Sequence, residues 1–106
     1  MQLETSYGTS HSDPGDAEFR EALAHLNLQR DGEGFAIYSR DQMSYVQVGG
    51  DQHSGFEMEY QEGSTDQHFR AQRTDFSLDE VLRAMSEYRA GTIQWADYGP
   101  WERISW

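Results

Sequence analysis

The sequence contains no cysteine and no lysine, and each absence excludes a class of site. Without cysteine there is no disulfide, no thiol nucleophile and no Cys-ligated zinc. Without lysine there is no Walker phosphate loop, so the double glycine Gly49-Gly50 does not form one. The patterns of a nucleophile elbow, a zinc protease and a Rossmann dinucleotide site are also missing. These absences favour a binding protein over an enzyme and imply no cofactor.

Long apolar runs are missing as well. No stretch approaches the length of a membrane span, and the start "MQLETSYGTS" lacks the basic and apolar regions of a signal peptide. We therefore expect a cytoplasmic protein. A chain of 106 residues is long enough for one domain, 1–106. Its aromatic content of 13% indicates a globular chain rather than a disordered one.

The charge is strongly unbalanced. Acidic residues number 19 against 8 basic ones, and the formal net charge is -11. A GC-rich coding bias or a salt-adapted proteome would both explain arginine without lysine. The negative charge argues against nucleic acid and anionic membranes as partners. It favours a basic protein partner, whose approach would be electrostatically steered.

Two segments have helix chemistry. In "DPGDAEFREALAHLNL" we expect Asp13 as N-cap and Pro14 at the first helical position. An apolar stripe follows at helical spacing: it consists of Phe19, Ala22, Leu23 and Leu26. In "SLDEVLRAMSEYRAG", Ser77 and Glu80 predict a capping box, and Gly91 predicts the end of the helix.

The remaining segments alternate as strands do. Residues 1–12 are predicted to form an N-terminal strand and loop. Four runs, "GFAIYSR", "SYVQVGG", "GFEMEYQEG" and "DQHFRAQR", are separated by turn residues and predict antiparallel hairpins. The predicted buried face carries Phe35, Ile37, Val46, Val48, Phe56, Met58, Tyr60, Phe69 and Ala71. The predicted open face carries Tyr38, Arg40, Tyr45, Gln47, Glu57, Glu59, His68, Arg70 and Gln72.

These elements predict an α+β fold. We expect a two-layer sandwich in which two helices pack on one face of an antiparallel sheet of about four to five strands. Residues 92–106 form an aromatic C-terminal tail that contains all three tryptophans, with a possible last short strand at "ERISW". We expect Trp95, Tyr98 and Trp101 to complete the core, while Trp106 fits either the core or an interface.

Candidate reactive groups are few. The four histidines, at positions 11, 25, 53 and 68, lie on different predicted elements and do not form a zinc ligand set. Glu57 and Glu59 lie two apart on a strand, where His68 and Arg70 are expected to pair with them across strands. The open face is thus either an ordinary solvated surface or a binding surface with aromatic anchors in an acidic field.

A resemblance adds to this interpretation. The succession "SYVQVGG", "FEMEYQEG", "HFRA", "SLDEVLRAMSEYRAG" and a closing "PWERI" resembles small acidic bacterial proteins of unknown or immunity-like function. Many of those are encoded beside toxins of polymorphic and contact-dependent systems. The resemblance covers roughly residues 19–106. It implies an α+β fold and a role as a binding inhibitor, and it implies no catalytic residues.

The leading hypothesis is a non-catalytic protein that neutralises a basic partner, such as a cognate toxin. The candidate binding residues are Tyr38, Tyr45, Asp51, Glu57, Glu59 and Glu62. The alternative is a homo-oligomeric structural or assembly protein, in the simplest case a homodimer, with the aromatic tail as its interface. An enzyme or small-ligand binder with an unrecognised site is the third hypothesis.

Overall fold

A computed structural model describes residues 1–26 and 34–104. Within these ranges the chain forms seven strands and two α-helices. They run in the order β1 (Gln2–Thr5), β2 (Ser10–Ser12), α1 (Asp16–Leu26), β3 (Phe35–Ser39), β4 (Tyr45–Asp51), β5 (Gly55–Gln61), β6 (His68–Ala71), α2 (Leu78–Ala90) and β7 (Trp101–Arg103). Short 3₁₀ helices cover Thr65–Gln67 and Trp95–Tyr98. None of the described helices is long and apolar enough to cross a membrane.

The strands form one antiparallel sheet in the order β2-β1-β3-β4-β5-β6-β7. The α+β class is confirmed, but the sheet has seven strands where about four to five were predicted. The additional strands are at the two edges. β2 and β7 have three residues each, which is too short for alternation to be recognised. The possible last strand at "ERISW" overlaps β7, which covers Trp101–Arg103. Ser10–Ser12 lies in a segment whose residues predict a turn.

The predicted start is confirmed for α2 but not for α1. The capping box of α2 is confirmed, because Ser77 Oγ accepts from the Glu80 N–H and the Glu80 carboxylate accepts from the Ser77 N–H. Asp13 is not the N-cap of α1, which begins at Asp16. Asp13 instead has a positive φ of 49° and its carboxylate accepts a 2.8 Å hydrogen bond from the N-terminal ammonium.

Both helices pack on one side of the sheet, which we call the inner face. Tyr38 on β3 contacts Phe19 of α1 at a ring-centroid distance of 4.6 Å and Tyr88 of α2 at 5.7 Å. All three side chains belong to a single buried cluster. The remaining strand residues of that cluster are Leu3, Ala36, Val46, Val48, Phe56, Met58, Tyr60 and Ala71.

The predicted phase of β3 was wrong. Tyr38 lies opposite Val46 and is fully buried, whereas Ile37 lies opposite Gln47 on the other face, which we call the outer face. Phe35 shares the outer face and is 37% exposed. The error has a physical origin: "FAIYS" offers apolar residues in both phases, so alternation within this strand does not identify its buried side.

The aromatic tail folds against the inner face, as predicted for Trp95, Tyr98 and Trp101. Tyr98 is buried, and Trp95 stacks on Tyr60 with ring centroids 3.8 Å apart and an interplanar angle of 3°. Trp101 meets the same Tyr60 ring edge-on at 4.7 Å. The prediction for Trp106 falls outside the described residues.

Candidate protein-binding face

The outer face is crossed by continuous rows of paired residues. In the sheet register, Glu4 lies opposite Ile37, Ile37 opposite Gln47, and Gln47 opposite Glu59. Because directly opposed residues of an antiparallel pair point to the same side, these side chains form one row across the sheet. The complete row runs Ser10, Glu4, Ile37, Gln47, Glu59, Arg70, Glu102.

A hydrogen-bonded polar cluster lies where β4 begins and β5 ends. The imidazole Nε2 of His68 is 3.1 Å from Glu59 Oε1, and its Nδ1 is 3.1 Å from Gln61 Oε1. The Gln61 amide nitrogen donates to the Met43 carbonyl at 3.0 Å, which makes Oε1 the acceptor towards His68. His68 is only 3% exposed, so the centre of this cluster is shielded from solvent.

Tyr45 borders this cluster and remains a neutral phenol. Its hydroxyl lies 3.4 Å from Gln61 Oε1 and 3.5 Å from His68 Nδ1. Burial, with the nearby charge of Glu59, raises the pKa of Tyr45 above its usual value. Tyr45 therefore presents a partly exposed aromatic ring whose hydroxyl is held from one side, an arrangement suited to anchoring a partner.

Most arginine ion pairs lie on the helix side of the molecule. Arg73 holds Glu80 at 2.9 Å, Arg83 holds Glu87 at 3.2 Å, and Arg89 reaches across to Asp16 at 3.1 Å. The Arg73 guanidinium lowers the pKa of Glu80 to about 2. On the outer face the only arginine pair among the described residues is Arg70 with Glu102, at 3.7 Å.

The outer face carries exposed carboxylates that have no ion pair within residues 1–26 and 34–104, among them Glu4 on β1 and Glu57 on β5. Between their strands run Phe35 and Ile37 of β3. The outer face thus combines apolar side chains in its middle with carboxylates on both sides, which is the pattern of an interface with an apolar centre and a charged rim.

The predicted binding residues separate into two groups. Tyr45, Glu57 and Glu59 share the outer face, and the expected pairing of Glu59 with His68 is present. Tyr38 is a correction: it lies fully buried under both helices, because β3 has the opposite phase. Glu57 makes no ion pair with Arg70, whose guanidinium instead meets Glu102.

The two loop residues have local structural partners. Asp51 accepts a 2.6 Å hydrogen bond from the Ser54 N–H in the β4–β5 hairpin. Glu62 accepts a 3.3 Å hydrogen bond from the indole of Trp95 and thus belongs to the tail side. Sequence reasoning missed Phe35 and Ile37 as outer-face residues. Alternation in the first strand places Glu4 on the side opposite Leu3, but only the pairing of β1 with β3 brings Glu4 onto the same face as Phe35 and Ile37.

Two open depressions indent the outer side of the sheet. The larger, of about 730 Å³, lies at the β3–β4 corner and includes Glu4, Ile37, Arg40, Asp41 and Tyr45 in its lining. The smaller, of about 320 Å³, lies beside β6 and includes Glu57, Arg70 and Glu102. Both are open to solvent rather than enclosed, as surface contacts for a protein partner are.

Metal-binding geometry is not seen in the part of the chain that the structure describes, where no three or more His, Asp and Glu side chains are placed to share an ion. No family model, no curated protein and no solved structure matches this chain.

Proposed function

We propose that this chain is a cytoplasmic, non-catalytic protein that neutralises a basic protein partner through its outer face, as an immunity protein neutralises its cognate toxin. The observation that supports it most directly is the placement of Glu4 and Glu57, without ion pairs among the described residues, on either side of Phe35 and Ile37. The resemblance to immunity-like proteins agrees with this proposal. It names no partner.

Electrostatics favours a cationic partner over other ligands. A net charge of -11 attracts a basic protein over distances of about one Debye length, ~8–10 Å at physiological salt. Steering of this kind raises association rates from about 10⁵–10⁶ to as much as ~10⁸–10⁹ M⁻¹s⁻¹. Affinity then depends on what is buried at the centre, where Ile37, Phe35 and Tyr45 supply apolar and aromatic surface.

The test uses the product of the neighbouring gene. We would express that product in cells with and without this chain and measure survival. We expect toxicity that wild-type chain rescues and that the double variant Glu57→Arg/Glu59→Arg does not. In the purified pair, the double variant should associate at least about tenfold more slowly at low salt.

A charge-matched control separates a local contact from a general field. Glu21→Arg/Asp79→Arg changes the net charge equally, but both residues are exposed on the helices. Rescue by the control variant together with failure of the outer-face variant supports the proposal. If both variants rescue, the outer face is not the binding surface; a harmless neighbour, or toxicity without rescue, removes the immunity function.

The alternative of a homo-oligomer assembled through the aromatic tail has less support. Tyr98 is 3% exposed, and the indole of Trp101 donates to the Trp95 carbonyl. The aromatic side chains of the tail therefore pack mainly against the core. Trp95 and Trp101 remain partly exposed. Replacing Trp95 by alanine distinguishes the two roles of the tail.

A further inference from the structure

Gly49 lies inside β4 on the outer face, and the fold itself does not require a glycine there. A glycine in a strand interior weakens the strand, and it often marks a place where another molecule approaches closely. The neighbouring glycines are required by the backbone conformation. Gly50 has a φ of 82°, and a Cβ on it would meet the Gly55 carbonyl at 2.5 Å; Gly55 itself has a φ of 107°.

Gly49 has neither constraint. Its φ lies outside the left-handed region, and among the described residues a Cβ at this position would meet only the Gly34 carbonyl oxygen, at an ordinary 3.7 Å. A side chain would therefore fit without backbone strain. Because the turn geometry of the hairpin is supplied by Gly50 and Gly55, the missing side chain at Gly49 needs another explanation.

The missing side chain leaves a notch between two specific neighbours. Gly49 lies opposite Phe35 on β3 and opposite Glu57 on β5. Neighbouring strands are ~4.8 Å apart, so Phe35 and Glu57 stand roughly 10 Å apart across the notch. The Phe35 ring is 37% exposed, and Glu57 makes no ion pair within the described residues. An aromatic side chain and a carboxylate therefore flank a strand position that has no side chain of its own.

We propose that this notch, formed by Phe35, Gly49 and Glu57, binds the side chain of an arginine on the basic partner. The inference rests on the proposed function and names the contact at its centre. The aliphatic stem takes the place of the absent β4 side chain, while the guanidinium lies against the Phe35 ring and meets the Glu57 carboxylate. A planar guanidinium suits both neighbours, since it stacks on aromatic rings and binds carboxylates in a bidentate manner.

The probe is the tripeptide acetyl-Gly-Arg-Gly-amide, titrated into ¹⁵N-labelled protein and followed by NMR. We expect saturable shifts at the amides of Phe35, Gly49 and Glu57, with a dissociation constant in the millimolar range. The same peptide with citrulline in place of arginine is neutral and of similar shape, so it should give no saturable shift there. Equal binding of both peptides would overturn the assignment to a cation.

Variants test the notch itself. Gly49→Val fills it with a residue that strands favour and should weaken arginine-peptide binding at least about tenfold. Ala24→Val is the control, because it adds a valine side chain at an exposed position of α1, on the helix side of the sheet. Glu57→Gln should also weaken binding. If Gly49→Val does not fold, Glu57→Gln and the citrulline peptide still test whether the notch binds a cation. The proposal is overturned if folded Gly49→Val binds the arginine peptide as tightly as the wild type does. It is also overturned if the wild type shows no saturable shift.

The survival assay separates this inference from the function on which it rests. If Gly49→Val rescues as well as wild type does while Glu57→Arg/Glu59→Arg fails, the notch is refuted and the neutralising function stands. If the arginine peptide binds in the notch but wild-type chain rescues no toxicity, the immunity function is refuted and the notch stands. Loss of rescue in Gly49→Val, with rescue by Ala24→Val unaffected, supports both the notch and the neutralising function.

Discussion

Replacing Trp95 by alanine distinguishes a tail that completes the core from a tail that forms an interface. The Trp95 ring stacks on Tyr60 at 3.8 Å, meets Trp101 edge-on at 5.6 Å and lies 5.9 Å from Tyr88. Its indole nitrogen donates to Glu62 at 3.3 Å. Alanine removes all of these contacts at once and leaves the backbone of the 3₁₀ helix in place.

The expected loss follows from this burial. Truncating a fully buried Trp to Ala costs about 3–5 kcal/mol, and Trp95 is only partly buried. Each aromatic pair contributes about 0.5–1.5 kcal/mol beyond its buried area, and the hydrogen bond about 1 kcal/mol. We therefore expect the free energy of unfolding to fall by about 2–4 kcal/mol, a large part of the ~5–15 kcal/mol typical of such a domain.

Urea denaturation measures this loss, and light scattering on the same samples measures the oligomeric state. Phe35→Ala is the matched control: it truncates an aromatic residue of the outer face that is 37% exposed, and it should cost less than about 1 kcal/mol. A Trp95→Ala variant that loses less than about 1 kcal/mol would refute the core assignment. If that variant also changed from dimer to monomer, the tail would be an interface and the homo-oligomer hypothesis would replace the present one.

Two further predictions concern the helix layer. Burial raises the pKa of Tyr88 to about 12, and its buried hydroxyl has no hydrogen-bond partner in the described chain. We expect Tyr88→Phe to leave the free energy of unfolding unchanged or to raise it by up to about 1 kcal/mol, as measured by urea denaturation. A fall of more than about 1 kcal/mol would contradict this. Arg73 lowers the pKa of Glu80 from 4.5 to about 2, so the stabilisation is present above pH 4.5 and is lost as pH falls towards 2. Because the Glu80 side chain is 39% exposed, we discount this contribution to about 1 kcal/mol. Glu80→Gln should flatten the acid side of a stability-versus-pH curve, and an unchanged slope would refute it.

Where structure is local, the sequence was sufficient. α2 is the clearest case, because the Ser77–Glu80 capping box and the left-handed Gly91 are contacts between residues close in the chain. The apolar stripe of α1 is buried as predicted. The alternation in β4 and β5 also identified their buried sides, since each has large apolar residues in one phase only.

Non-local structure was not predictable in the same way. α1 begins at Asp16, and the predicted N-cap Asp13 instead binds the N-terminal ammonium, which is a contact between residues far apart in the chain. The short edge strands have too few residues to carry a pattern, and only pairing with β1 and β6 makes them strands. The membership of Trp95 in the core could be anticipated from its size, but its partner Tyr60 could not.

The candidate site shows most clearly which features the sequence predicts and which depend on the tertiary structure. The sequence alone determined that the chain is acidic, that it lacks the common catalytic motifs, and that Tyr45, Glu57 and Glu59 share a face. Only the tertiary structure decided that Tyr38 is buried and that Phe35 and Ile37 are not. The reason is physical: "FAIYS" can bury either side, and the register with Val46 and Val48 selects one of them. That choice places Phe35 beside Gly49 and creates the notch.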